Sequence, residues 1–204
     1  MDTAQAEWLD WGRGENQAKT GWWVADVNIN PFNSDEVMYG TGATIYSTQN
    51  MTKIGTEPVT IAFDAYGLEE TAVFKMLAPP SKDDSPQLYS IMGDLTGFAH
   101  KDVTQCPDDA HFMKNGKPTD LDVAFQNPNT AVYLSEEKTT TINFTQDGGA
   151  TWETVKHKPD PATGGQVAMS ADGSSTIWVP NSISGKPYVT TDLGKTWYYV
   201  EGLG

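Results

Sequence analysis

One short segment of the sequence, YSIMGDLTGFAHKD at positions 89–102, contains residues whose types and spacing could support acid chemistry. Asp94 follows a short apolar run and is enclosed by Gly93 and Gly97, with His100 close behind it. A carboxyl among apolar neighbours can keep its proton, because desolvation disfavours the charged form and raises the pKa. An aspartate beside a glycine is equally typical of a tight turn, where it accepts backbone N–H bonds. The residues alone leave both roles open.

The composition excludes several classes of partner. The formal net charge is −14, from 27 acidic and 13 basic side chains, and such a surface repels phosphate backbones and anionic lipids. No apolar stretch reaches the roughly 18 residues of a membrane span. We therefore expect neither a nucleic-acid partner nor a membrane partner. The N-terminus also lacks the basic and apolar regions of a signal peptide.

The sequence offers little for metal or nucleophilic chemistry. The single cysteine, Cys106, excludes an intramolecular disulfide and a thiolate metal cluster. His111 and His157 have no ligand spacing with each other or with acidic residues. Nucleophile elbows, phosphate loops and Cys–His pairs are also missing. We expect no metal and no cofactor.

The elements that must position Asp94 are β-strands. No segment keeps a helical apolar pattern for three turns, and 19 glycines and 12 prolines interrupt the chain. Short runs rich in β-branched and aromatic residues recur between Asn, Asp, Gly and Pro turns, among them EVMYGTG, VTIAFD, QLYSIMG, TAVYLS and TIWVP. The pattern predicts an all-β chain.

Two octapeptides repeat in this chain, TQDGGATW at 145–152 and TTDLGKTW at 190–197, with their tryptophans 45 positions apart. In such a motif, the Asp-box, the aspartate caps a tight turn, the glycine adopts a backbone geometry that other residues avoid, and the tryptophan packs back over the turn. We therefore assign Asp147 and Asp192 to turn formation, and Trp152 and Trp197 to packing. A period near 45 residues with about four strands indicates a β-propeller blade.

The repeat predicts four blades, at about 20–66, 69–105, 121–155 and 164–204. We expect Asn30-Pro31 and Asn127-Pro128 to occupy equivalent places in two of them, with Asn50-Met51 replacing the glycine and Thr-Trp part of a degenerate Asp-box. Four blades seldom close a ring by themselves, so we expect the chain to be part of a larger propeller.

The sequence resembles glycoside hydrolase family 74, the xyloglucanases. The resemblance depends on GWWVADVNINPFNSDEVMYGTGATIYSTQNMT, EETAVFKMLAPP, LYSIMGDLTGFAHKD and the two Asp-box units, and it extends from about Trp8 to Gly204. It implies about four blades of a seven-bladed ring, at the start of the C-terminal one of two propellers that face each other across a cleft.

The family resemblance also implies a chemistry for Asp94. The family inverts the anomeric centre with one aspartate from each propeller, and Asp94 matches the general acid in a Gly-Asp segment followed by a glycine, a phenylalanine and a histidine. Thr96 departs from the pattern, which often has Gly or Cys there. The general base belongs to the N-terminal propeller and has no match in this chain. An inverting pair of carboxyls lies about 6.5–9.5 Å apart.

Substrate binding would depend on aromatic platforms for the apolar faces of sugar rings. The leading candidates are Trp22 and Trp23. Phe98 is close to Asp94 in sequence, and Tyr39 and Tyr46 have weaker claims. Strand alternation would send Trp22 and Trp23 to opposite faces. His100 could hydrogen-bond within the site or pack on a strand.

The resemblance predicts an extracellular endo-β-1,4-glucanase specific for xyloglucan or a related β-glucan, with the missing N-terminal propeller as its structural partner. These 204 residues alone are expected to be inactive. The alternative is a non-catalytic Asp-box propeller module that binds glycans or proteins.

Overall fold

A computed structural model describes residues 23–42, 44–64, 72–80, 82, 84–93, 96–105, 116–136, 138–159, 162–181 and 186–202. These residues form four antiparallel sheets, and their only helix is a 3-10 turn at Met51–Lys53. The all-β prediction is confirmed. By its contacts the chain divides into two compact units, Met1–Thr71 and Ala72–Gly204, which are described separately.

The first unit contains one sheet, sheet 1, with its strands in sequential order. Its strands are β1 (Asp26–Ile29), β2 (Val37–Gly40), β3 (Ile45–Thr48) and β4 (Ala62–Phe63). Its core is aromatic, with Tyr46 and Phe63 buried and Tyr39 packed against them. The run WWVADVNIN, rich in β-branched and aromatic residues, predicts a strand that begins at the tryptophan pair. In the structure β1 begins at Asp26 and leaves Trp23 ahead of the sheet.

The second unit contains three sheets whose strands also follow in sequential order. Sheet 2 has β5 (Val73–Leu77), β6 (Leu88–Met92) and β7 (Thr96–His100). Sheet 3 has β8 (Lys117–Val123), β9 (Ala131–Glu136), β10 (Thr140–Thr145) and β11 (Glu153–Thr154). Sheet 4 has β12 (Gln166–Met169), β13 (Thr176–Val179), β14 (Tyr188–Thr190) and β15 (Tyr198–Tyr199). Strand β7 was missed, because GDLTGFAH reads as a turn from its two glycines.

Sheet 3 is buried on both faces. Tyr133 of β9 packs with Tyr89 and Ile91 of sheet 2, while its neighbours Val132 and Leu134 pack with residues of sheet 4. Burial on both faces explains why TAVYLS reads as a continuous apolar run without polar alternation.

The structure corrects one equivalence between sheets 1 and 3. The Asn33 N–H donates to the Asn30 carbonyl, and the Asn127 N–H donates in the same way to the Ala124 carbonyl. Asn33, and not Asn30, is therefore the counterpart of Asn127. The predicted match of the two Asn-Pro pairs is wrong by three residues.

Candidate active site

Two strands of sheet 2, β6 and β7, flank the predicted general acid. Asp94 and Leu95 lie outside the described residues, as do Trp22, Cys106 and His111 among the residues considered above. The last residue pair of the two strands is Met92 opposite Thr96. On the near side of Asp94, the Gly93 N–H donates to the Ala72 carbonyl at 2.8 Å, which fixes the backbone immediately before the aspartate.

Packing leaves little room for a side chain at Gly93. A Cβ at this position would lie 2.9 Å from Cζ of Phe74 and 3.4 Å from Cβ of Ala72. The edge of the Phe74 ring therefore rests on the residue bonded to Asp94.

Phe74 also has a cation beside it. The Lys117 ammonium lies 4.9 Å from the centre of the Phe74 ring, and the ring remains 43% exposed. Within TAVFKMLA, nothing distinguishes Phe74 from an ordinary strand residue, so sequence reasoning had no signal by which to find it.

Thr96, on the far side of Asp94, has an unusual backbone. Its φ is 65°, in the left-handed region, and its side chain is 2% exposed. A β-branched residue in that region is strained by about 1–3 kcal/mol and persists only where the surroundings enforce it. The glycine that the family pattern often has at this position would adopt the same φ without strain.

His100 is the last residue of β7, at the opposite end of the strand from Thr96. Four residue steps along the strand separate it from Thr96, a distance of about 13 Å. Its Nε2 is hydrogen-bonded to the Ser90 hydroxyl at 3.0 Å, and its ring lies 5.8 Å from that of Phe98. Burial lowers the pKa of His100, so the imidazole favours its neutral form. These contacts support packing on the strand, the second of the two predicted roles.

The predicted sugar platforms differ in exposure. Phe98 is only 3% exposed, which favours packing over contact with substrate. Tyr39 is half-buried and stacks on Tyr46, with the ring centres 5.0 Å apart and the planes 9° apart. Trp23 is 82% exposed. Substrate binding by these residues stays a prediction.

The first Asp-box has the predicted hydrogen bonds. Asp147 accepts the Thr151 N–H at 2.9 Å and the Thr145 hydroxyl at 2.7 Å, while the Thr145 oxygen accepts the Gly149 N–H at 3.0 Å. Desolvation acts to raise the pKa of Asp147, but the hydrogen bonds from Thr151 and Thr145 outweigh it and the pKa is lowered. The lowered pKa favours the ionised form, and the hydrogen bonds that this carboxylate accepts are those of a turn cap.

The second Asp-box repeats the same geometry. Asp192 accepts the Thr196 N–H and the Thr190 hydroxyl, each at 2.8 Å, and Gly194 N–H donates to Thr190 at 2.8 Å. The hydrogen bonds from Thr196 lower the pKa of Asp192 to about 2.

A third, degenerate copy occurs in sheet 1. Asn50 accepts the Thr48 hydroxyl at 3.0 Å and the Thr60 N–H at 2.9 Å. Asn50 therefore occupies the position that aspartate has in the other copies. The backbone N–H that closes its turn comes from Thr60, ten residues further on, whereas Asp147 accepts the N–H of Thr151, four residues further on. The prediction that Asn50 replaces the glycine of the motif is wrong.

The first Asp-box lies at the opposite end of sheet 2 from Gly93. A Cβ on Gly149 would touch Ala99, near the C-terminal end of β7, and one on Gly148 would touch Pro86, which precedes β6. A groove of about 510 Å³ opens between the two Asp-box turns, with Glu153, Lys156 and Lys195 among its lining residues. This groove is therefore separate from the segment that carries Asp94.

Two further features are absent from the described residues. In that part of the chain, no group of three or more His, Cys, Asp and Glu side chains could hold a metal ion. No helix there is long and apolar enough to span a membrane.

Several curated proteins are similar to this chain in sequence. Xyloglucanase Xgh74A from Acetivibrio thermocellus is 38% identical over 213 residues, which cover all of this chain and 25% of the relative. A xyloglucanase from Paenibacillus sp is 38% identical over 216 residues, all of this chain and 20% of the relative. An oligoxyloglucan-reducing end-specific xyloglucanase from Emericella nidulans is 30% identical over 91% of this chain and 26% of the relative. The chain thus spans about a quarter of the length of these relatives.

Solved structures give the same result for the fold. The GH74 xyloglucanase from Xanthomonas campestris matches all of this chain and 28% of its own, with a TM-score of 0.74 and 26% identity. The GH74 enzyme from Niastella koreensis matches 88% of this chain and 25% of its own, with a TM-score of 0.66 and 25% identity. No protein-family model matches. The sheets of this chain are part of a β-propeller.

Proposed function

The chain belongs to glycoside hydrolase family 74, and we propose that it forms the part of a xyloglucan-hydrolysing enzyme that carries the general acid, Asp94. The proposal is supported above all by the similarity to xyloglucanases along the whole chain, 38% identity to the relative from Acetivibrio thermocellus. The relatives include a reducing end-specific enzyme as well as proteins named simply xyloglucanase. The names of the relatives do not specify a single mode of action, so the endo-acting mode that the sequence predicts belongs to the proposal.

The proposed reaction is an inverting hydrolysis of the β-1,4-glucan backbone. Asp94, protonated, gives its proton to the glycosidic oxygen as the bond to the anomeric carbon breaks. A carboxylate outside this chain removes a proton from water, and that water attacks the anomeric carbon from the opposite face of the sugar. The two carboxyls would lie about 6.5–9.5 Å apart, leaving room for the water.

The described residues on either side of positions 94–95 are themselves held in position. Gly93 is held by its hydrogen bond to Ala72 and by the Phe74 ring, and the buried Thr96 is held in a strained conformation. A general acid must meet its proton acceptor within hydrogen-bond reach, so a rigid backbone on both sides is an advantage.

The test is Asp94→Asn in the complete enzyme. We expect xyloglucan hydrolysis to be lost while the melting temperature stays at the wild-type value, because asparagine keeps the shape and cannot supply the proton. Asp84→Asn is the matched control, since Asp84 is an exposed aspartate with a φ of 60° that asparagine also tolerates. Normal turnover by Asp94→Asn would refute the proposal.

A second measurement distinguishes a hydrolase from a non-catalytic binding module. The 204-residue chain alone should show no hydrolysis, because it lacks a general base. If the complete protein also fails to hydrolyse xyloglucan, and Asp94→Asn leaves its affinity for xyloglucan unchanged, a non-catalytic module is the better description.

The proposal also includes an extracellular location for the protein.

A further inference from the structure

We propose that Phe74, packed against Gly93, is a platform on which a sugar ring of the substrate stacks, and that Lys117 donates a hydrogen bond to the same sugar. The proposal rests on the proposed function and adds a substrate contact to it. Phe74 and Lys117 both belong to the second unit, and the Phe74 ring touches the residue bonded to Asp94.

A β-bulge directs the side chain of Phe74. Val73 pairs with Met92 and Lys75 pairs with Ile91, so Phe74 has no partner residue in the ladder between β5 and β6. Bulges re-aim the extra side chain and are over-represented next to active sites. Here the re-aimed ring lies with one edge against Gly93 and is still 43% exposed.

The fold itself does not require an aromatic residue in this bulge. Sheet 3 has the same irregularity, with Pro118 opposite Ser135 and Asp120 opposite Leu134. The extra residue there is Thr119, which is exposed. Because a small polar residue fills the equivalent place in the next sheet, the ring of Phe74 needs a reason other than blade architecture.

The chemistry of the pair suits a glucan. One face of a pyranose ring presents C–H groups that pack on an aromatic ring, while its equatorial hydroxyls accept hydrogen bonds from an ammonium. The Lys117 ammonium lies over the Phe74 ring in an exposed setting. Since an exposed cation–π contact is weak, a sugar can displace the ammonium from the ring face and accept its hydrogen bond.

The test compares Phe74→Thr, Phe74→Trp and Lys117→Gln in the complete enzyme. Threonine is chosen because Thr119 occupies the equivalent bulge, so the variant should fold. We expect Phe74→Thr to raise KM for xyloglucan about tenfold, with a smaller effect on kcat. Phe74→Trp should restore a KM near the wild-type value, and Lys117→Gln should raise KM by about threefold.

Phe125→Thr is the matched control. Phe125 is 44% exposed and follows β8 in the Asn-Pro turn, at the end of sheet 3 away from Lys117. Its loss should leave KM unchanged, and melting temperatures should be measured for every variant.

Binding measured in the Asp94→Asn background separates the two proposals. There, Phe74→Thr should weaken calorimetric binding of a xyloglucan oligosaccharide about tenfold. If Asp94→Asn inactivates the enzyme but Phe74→Thr leaves oligosaccharide binding unchanged, the proposed role of Phe74 is wrong and the proposed function stands. Normal turnover by Asp94→Asn overturns the proposed function and the platform with it.

Discussion

The Lys75 ammonium and the Asp120 carboxylate form an ion pair with an Nζ–Oδ1 distance of 2.7 Å, which joins the first strand of sheet 2 to the first strand of sheet 3. The other carboxylate oxygen of Asp120 accepts the Val167 N–H at 2.8 Å, which extends the connection to sheet 4. Asp120 is 6% exposed. One buried carboxylate thus links the first strands of three sheets.

Removing this carboxylate should be costly. We expect Asp120→Ala to lower the free energy of unfolding by about 2–4 kcal/mol, because it leaves the Lys75 charge and the Val167 N–H without their partner. Asp122→Ala is the control. Asp122 is half-exposed and accepts a single N–H, from Met169 at 2.6 Å, so its loss should cost about 1 kcal/mol. Urea unfolding of the 204-residue chain measures both, and equal losses would contradict a special role for Asp120.

Gly194, in the second Asp-box, should tolerate no side chain. Its φ is 80°, and a Cβ would lie 2.4 Å from Val155 Cγ2 and 3.1 Å from the Phe144 ring. We expect Gly194→Ala to cost about 2–4 kcal/mol, from overpacking added to backbone strain. Gly202 has a similar φ of 87° but nothing within 4 Å of its Cβ position, so Gly202→Ala should cost only the strain, about 1 kcal/mol. Thermal unfolding of the two variants separates packing from backbone strain.

The Asp-box carboxylates should make stability fall in acid. Hydrogen bonds from Thr196 hold the pKa of Asp192 at about 2, below its usual value of 3.8. The folded state therefore binds fewer protons than the unfolded state, and the stabilisation present above pH 4 is lost as the pH falls towards 2. Asp192→Asn should be less stable at pH 7 and lose less stability between pH 4 and pH 2. Unfolding at several pH values measures this, and identical pH slopes for variant and wild type would contradict it.

The turns and the fold class were predictable from the sequence because their causes are local. In each Asp-box the threonine, aspartate and glycine that make the turn lie within five positions of one another, so the spacing alone specifies the hydrogen bonds. Asn50 was misassigned because a longer loop moves its last donor to Thr60. The local pattern there no longer resembles the motif, although the turn chemistry persists.

Contacts between sheets were not predictable. Lys75 and Asp120 are 45 residues apart, and no local pattern identifies them as partners. The role of Phe74 depends on a bulge that appears only in the strand register. His100 shows that closeness in sequence does not give closeness in space, since the extended strand β7 places it about 13 Å from Thr96.

His100 should give the fold a second pH dependence, near neutrality. Burial lowers the pKa of its imidazole from the usual 6.5, so the unfolded state binds the proton more readily. Stability is therefore full above about pH 6.5 and falls as the pH drops below that value, levelling off below the folded pKa. His100→Gln can keep a hydrogen bond to Ser90 without titrating, so its melting temperature should change less than that of the wild type between pH 8 and pH 5. If His100→Gln and the wild type lose the same stability over this range, the buried imidazole is not the titrating group.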